Sequence, residues 1–133
     1  MNHWSEKYLG QAWTPQTDCY YWFRRIQAEQ FGRTVPVVPL DHASGAGLVR
    51  SAARAILSDT ATDAGWQPTD NPAEGDAVFL AQRTRPHHIG VAVMVTGALY
   101  VLHALEGVGV VVSDTQALRL NGWRIQEIWT YAG

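Results

Sequence analysis

Hydrophobic positions recur at two different periods along this chain, and the change from one to the other divides it in two. Pro15 biases Thr14 away from helix, and Asp18 is a good N-cap, so a helix is predicted to begin at Cys19. Cys19, Trp22, Phe23, Ile26 and Gln30 then fall near i, i+3, i+4, i+7 and i+11, with Arg24, Arg25 and Gln27 on the other side and Gly32 placed for a C-cap. The spacing predicts an amphipathic helix over 19–31. Val35-Pro36-Val37-Val38-Pro39-Leu40 reads as a connector, because each proline removes a donor and holds its predecessor extended. Ser44 caps a second predicted helix running to about Ser58, with Leu48, Val49, Ala52, Ala53, Ile56 and Leu57 on one face and Arg50 and Arg54 outward.

From Gln67 to Asp76 the chain is punctuated by proline and glycine, and the period then changes to that of strands. Runs rich in Val, Ile and aromatics lie at Ala77 to Ala81, His88 to Val95, Ala98 to Leu105, Val108 to Val112 and Trp123 to Tyr131. Thr96-Gly97 predicts a tight hairpin between the second and third of these. Helices followed by consecutive strands give an α+β expectation: one domain over 1–133, an antiparallel sheet of about five strands, and helices covering it on one side. There is no internal repeat, linker or low-complexity segment.

Composition narrows the function classes. The 133 residues are 47% hydrophobic, enough for a real core, and the formal net charge is −2 with arginines scattered along the chain. Such a balance lacks the basic footprint that phosphate neutralisation requires, so nucleic acid is not the expected partner. No run approaches the ~18 to 20 apolar residues that cross a bilayer, and Met1-Asn2-His3-Trp4-Ser5-Glu6-Lys7 lacks a charged start leading into an apolar stretch. Neither signal peptide nor membrane insertion is expected.

The single cysteine, Cys19, makes no internal disulfide, so it is either buried packing or chemistry. Trp13, Tyr20, Tyr21 and Trp22 surround it in sequence, which suits a ligand surface and core packing equally. At a helix start a thiol is stabilised as thiolate by unpaired N–H groups and the positive end of the dipole. A nucleophile of this kind needs a base, and the base needs a third group to hold its ring. His88, Gly90, Ala92 and Met94 share one face of a strand, with His87, Ile89, Val91 and Val93 on the other, and the small Gly90 and Ala92 leave room beside His88 for a helix end. His103, near the end of the next strand, is expected as a cross-strand neighbour of His88. His3 and His42 sit in unpatterned segments. No HxH or HExxH spacing occurs, so neither a zinc site nor a cofactor is expected.

Three segments together resemble the NlpC/P60 cysteine peptidases, papain-like hydrolases of the bacterial cell wall. They are Tyr8-Leu9-Gly10-Gln11-Ala12-Trp13 leading to Asp18-Cys19-Tyr20-Tyr21-Trp22-Phe23, Glu74-Gly75-Asp76-Ala77-Val78-Phe79-Leu80 followed by His88-Ile89-Gly90-Val91-Ala92-Val93, and Leu102-His103-Ala104. The resemblance implies a papain-like fold, Cys19 as nucleophile, His88 as base and then acid, and His103 as the orienting residue. It implies Trp13 or Tyr8 beside the oxyanion, and Asp18 and Tyr20 near the substrate. The implied partner is a peptidoglycan stem peptide, cleaved between D-glutamate and diaminopimelate. Two departures stand out: Tyr20-Tyr21 follows the cysteine where most members have Ser-Gly, and its approach, Thr14-Pro15-Gln16-Thr17, is poor in glycine. Phe31-Gly32 with Val35-Pro36, the run from Leu105 to Val112, and Gly122-Trp123-Arg124-Ile125 are most similar to short tail-associated members from bacteriophages. The expectation is therefore a virion-borne endopeptidase acting at the cell wall. The alternatives are a structural tail-tip component that contacts other tail proteins, and a thiol amidase or acyltransferase on the same scaffold.

Overall fold

The computed structural model describes residues 3–35, 65–83 and 88–132. The second predicted helix (44–58), the connector beyond Val35, the Thr84-Arg85-Pro86 loop, His42 and His87 lie outside the described residues. Those described form an α+β structure with one antiparallel sheet. A 3₁₀ turn, Trp4–Tyr8, precedes helix α1 (Cys19–Phe31), and the strands are β1 (Trp66–Pro68), β2 (Ala77–Ala81), β3 (His88–Val95), β4 (Ala98–Leu105), β5 (Gly109–Asp114) and β6 (Arg124–Tyr131). A second helix, α2 (Thr115–Leu120), joins β5 to β6. The strand order is β1-β6-β2-β3-β4-β5.

Helix α1 has the predicted bounds because both caps are made. The Asp18 side chain accepts from the Tyr21 amide, and Gly32 closes the helix at φ 64, in the left-handed region. Its buried face is Cys19, Tyr20, Trp22, Phe23, Ile26 and Gln27. Gln27, expected to point outward, is fully buried: its Nε2 donates to the Gly75 carbonyl at 2.7 Å and its Oε1 accepts from Arg33. A buried amide is tolerable because its polar atoms are bonded.

Among the described residues the sheet has six strands, against an expectation of about five. The additional one, β1, comes from the segment expected to be loop; Trp66 is buried against Phe23 and Tyr131. Pro68 is admissible because β1 pairs with β6 alone, on the sheet's edge. The sheet is also covered on both faces rather than one. Ala77, Phe79, Ile89, Val91, Val93, Leu102, Ala104 and Val110 pack in one cluster with α1. Val78, Leu80, Ala92 and Val101 pack on the other side with Leu118 of α2 and Trp123.

The direction of α1 along the sheet follows from its contacts at each end. Gln27 bonds Gly75, whose own amide donates to Ala92 of β3. From Gln27 back to Cys19 is roughly 12 Å along a helix, and from Ala92 back to His88 roughly 13 Å along a strand. The N-terminal approach is fixed independently: Gly10 and Gln11 exchange backbone hydrogen bonds with Val110 of β5, and the Trp22 indole donates to the Ala12 carbonyl. Gly109 makes this approach possible. Its φ is +100, and a Cβ there would lie 2.6 Å from the Gln11 carbonyl oxygen. Gly109 is paired with Leu105, and continuing the β3–β4 register aligns Leu105 with His88. Helix α1 therefore starts at the end of the sheet where β3 begins.

The predicted hairpin is present, with Val95 paired to Ala98 across Thr96 (φ 47) and Gly97 (φ 81). Both central residues have positive φ, as a type I′ turn requires, and a β-branched residue is poorly suited to the first of them. Thr96→Asn is expected to stabilise the fold by roughly 1 kcal/mol, read as a higher midpoint in thermal or urea unfolding.

Candidate active site

The two histidines meet as the strand pattern requires. Val91 pairs with Leu102, so one step further along the ladder His103 stands opposite Gly90, with His88 diagonal to it on the same face. His88 Nε2 lies 2.9 Å from His103 Nδ1, and His103 Nε2 lies 3.0 Å from the Ser113 hydroxyl on β5. The result is a chain of three side chains on three adjacent strands. Both imidazoles are buried, each 3% exposed, and the indole of Trp123 covers them. It stacks on His88 at 4.6 Å and 26° and meets His103 edge-on at 6.2 Å. Trp123 is held in turn by α2, since its amide donates to the Leu118 carbonyl at the helix end.

The space beside His88 has a different use from the one expected. Gly90 makes room for the neighbouring strand and its imidazole rather than for a helix: a Cβ at Gly90 would lie 2.5 Å from Val101 Cγ1 and 3.1 Å from His103 Cβ. Ala92 belongs to the cluster under Leu118 and Trp123, while α1 lies over the opposite face of β3.

Cys19 is the first residue of α1 and 1% exposed, packed in the α1-side cluster. It lies towards the end of the sheet where β3 begins, on the face opposite the one that carries the imidazole pair. The surrounding candidates have defined places. Asp18 is buried and serves as the α1 cap. Tyr20 is buried, its ring 6.4 Å from that of Phe23, and burial pushes its hydroxyl up to about 12. Tyr8 donates to Glu29 at 2.6 Å and accepts from Gln30 at 3.0 Å; burial and the Glu29 carboxylate push its hydroxyl up to about 12. The Glu29 carboxyl is held below its ordinary value by the Tyr8 hydroxyl and by Arg25. Tyr8 is thus committed to the Glu29 and Gln30 side chains of α1 while its ring packs in the core against Trp22. Trp13 differs, because its indole N–H is buried and finds no hydrogen-bond partner among the described residues. Such a donor costs roughly 1–3 kcal/mol until something accepts from it.

Ser113 and Trp123 were not singled out as site residues. Ser113 lies one residue beyond the predicted end of its strand, which runs to Asp114 instead of Val112, and Trp123 opens the predicted last strand, whereas the strand itself begins at Arg124. A polar residue ending an otherwise Val-rich strand was the available signal for the first. For Trp123 the pattern held none.

Among the described residues no group of three His, Cys, Asp or Glu side chains is placed to hold a metal, and no helix is long and apolar enough to cross a membrane. No protein-family model matches this chain, and no curated protein matches it.

Burial lowers the basicity of His103 to about 4, so it is neutral at physiological pH. A histidine whose folded value lies below its unfolded 6.5 binds more protons when unfolded. Its contribution to stability is therefore present above pH 6.5 and is lost as pH falls towards 4. The loss is expected to be on the order of 3 kcal/mol, read as the difference in pH slope between wild type and His103→Gln in urea unfolding. Gly90→Ala is expected to cost about 1–3 kcal/mol and to displace the imidazole pair, visible as shifted histidine ring resonances in NMR spectra.

Proposed function

We propose that the protein is a cysteine peptidase of papain-like, NlpC/P60 type that hydrolyses stem peptides of peptidoglycan. The observation that carries this reading is the buried chain His88–His103–Ser113 at the same end of the sheet as the thiol-bearing start of α1. A structural core has little use for two buried imidazoles bonded to each other, since burying polar groups is unfavourable compared with apolar packing. A nucleophilic thiol has use for both: one takes its proton, and the other holds the ring of the first.

In the proposed reaction, which requires the thiol and the imidazole to meet around the end of the sheet where β3 begins, His88 accepts the Cys19 proton and the thiolate attacks a peptide carbonyl. The N-terminal end of the α1 dipole faces the developing oxyanion, and the Trp13 indole N–H is the candidate second donor. The tetrahedral intermediate collapses to a thioester as the imidazolium protonates the departing amine. Water, deprotonated by His88, then releases the acyl half and regenerates the thiol. The preferred bond, between D-glutamate and diaminopimelate, and carriage by a phage tail rest on the resemblance of the motifs.

One observation favours a second reading. Cys19 is 1% exposed, as a packing residue is, and a structural tail component that retains the fold requires no access to it. A thiol amidase or acyltransferase differs from the first reading only in the acyl acceptor.

Purified peptidoglycan incubated with the protein and analysed by mass spectrometry separates these readings. Wild type is expected to release new stem-peptide fragments, with Cys19→Ala and His88→Ala each reducing release at least about a hundredfold. Absence of fragments from a folded protein whose Cys19 resists a thiol-alkylating probe favours the structural role.

A further inference from the structure

We propose that Ser113 is a positioning residue which sets the direction of the His88–His103–Ser113 hydrogen-bond chain, leaving Nδ1 of His88 as the nitrogen that accepts a proton. The heavy-atom distances of 2.9 Å and 3.0 Å admit two directions. In the first, His88 Nε2–H donates to His103 Nδ1, and His103 Nε2–H donates to the Ser113 oxygen. In the second, the Ser113 hydroxyl donates to His103 Nε2, and His103 Nδ1–H donates to His88 Nε2, so the His88 proton moves to Nδ1.

Several observations favour the first direction. His103 is buried and neutral, so it carries one ring proton, and the two neighbours decide where it sits. A protonated His88 carries hydrogen on both nitrogens, and only the first direction gives its Nε2–H an acceptor. Ser113 lies at the partly exposed end of the chain, where its own hydroxyl proton can turn to water while its oxygen accepts from His103. Gly90 lets the second strand close against the pair and Trp123 covers both rings, so among the described residues Ser113 is the protein acceptor within reach of His103 Nε2. Without Ser113, the His103 Nε2–H loses the acceptor that the fold supplies. The ring then relieves this by moving its proton to Nδ1, which reverses the chain. The serine thus acts through two rings on a nitrogen it does not touch, as outer partners of metal-bound histidines do.

The direction itself is independent of the reaction, whereas its kinetic consequence rests on the reading of His88 as the base for Cys19. Both are tested on the full chain with ¹⁵N-labelled histidine at neutral pH. Long-range ¹H–¹⁵N spectra of wild type are expected to show His88 and His103 both protonated at Nε2. Ser113→Ala is expected to move both protons to Nδ1, and Ser113→Thr, which keeps the hydroxyl, to restore the wild-type pattern. Wild-type rings protonated at Nδ1 overturn the proposal without any variant. Unchanged tautomers in a folded Ser113→Ala protein overturn it equally. Where Cys19-dependent turnover is present, Ser113→Ala is expected to lower it on the order of a hundredfold and Ser113→Thr to recover it. Tautomers that switch in a protein without turnover uphold the role of Ser113 and remove the peptidase reading instead.

Discussion

The two-residue alternation of β3 is the constraint on which the rest of the structure depends. Ile89, Val91 and Val93 face α1, while His88, Gly90 and Ala92 face Trp123 and its neighbours. One strand therefore anchors the helix that carries the thiol and, on its other side, holds the imidazole pair. A shift of a single residue in its pairing would exchange these duties, placing histidines in the helix interface and branched aliphatic residues under the indole. Hydrogen bonding on both edges, to β2 and to β4, fixes the register. So does the lead-in to β2, where Gly75 donates to the Ala92 carbonyl, the Asp76 carbonyl accepts from the Ala92 amide, and the Asp76 carboxylate accepts from the Thr130 hydroxyl and the Ala73 amide.

Burial and polarity are balanced on the histidine face by exclusion rather than by exposure. The indole of Trp123 removes water from both rings, and the absence of a side chain at Gly90 lets the second strand close against them. The same desolvation that keeps His103 neutral makes every unsatisfied nitrogen in the chain costly, so the network is only as good as its last acceptor. That acceptor sits on β5, the strand whose outer edge also receives Gly10 and Gln11 from the approach to Cys19. Thiol and imidazoles are thus referred to a common frame even though they rise from different faces of the sheet.

Much of this was legible in the residues. Asp18 and Gly32 gave the bounds of α1 because capping is a local interaction, and Thr96-Gly97 located the hairpin because a two-residue turn restricts φ. The hairpin and the alternation together brought His88 to His103. The features that escaped depend on tertiary context. Helix α2 is too short for periodicity to register, β1 carries a proline that only an edge position excuses, and Gln27 is inside because a distant carbonyl at Gly75 accepts from it. Ser113 and Trp123 acquire meaning only once β5 and α2 are in place around the rings. The alternation correctly grouped His88 with two small residues, but it did not say which element those small residues admit.

Gly109 has a bearing on how the molecule is made. The backbone bonds that seat Gly10 and Gln11 connect the chain to a strand about a hundred residues later. During vectorial synthesis, the caps of α1 emerge together with it, but its leading end has nothing to close against until β5 has followed. Contacts of such long sequence separation form late and slowly. The wall beside the thiol's approach is accordingly completed only after β5 has been made, roughly ninety residues after Cys19.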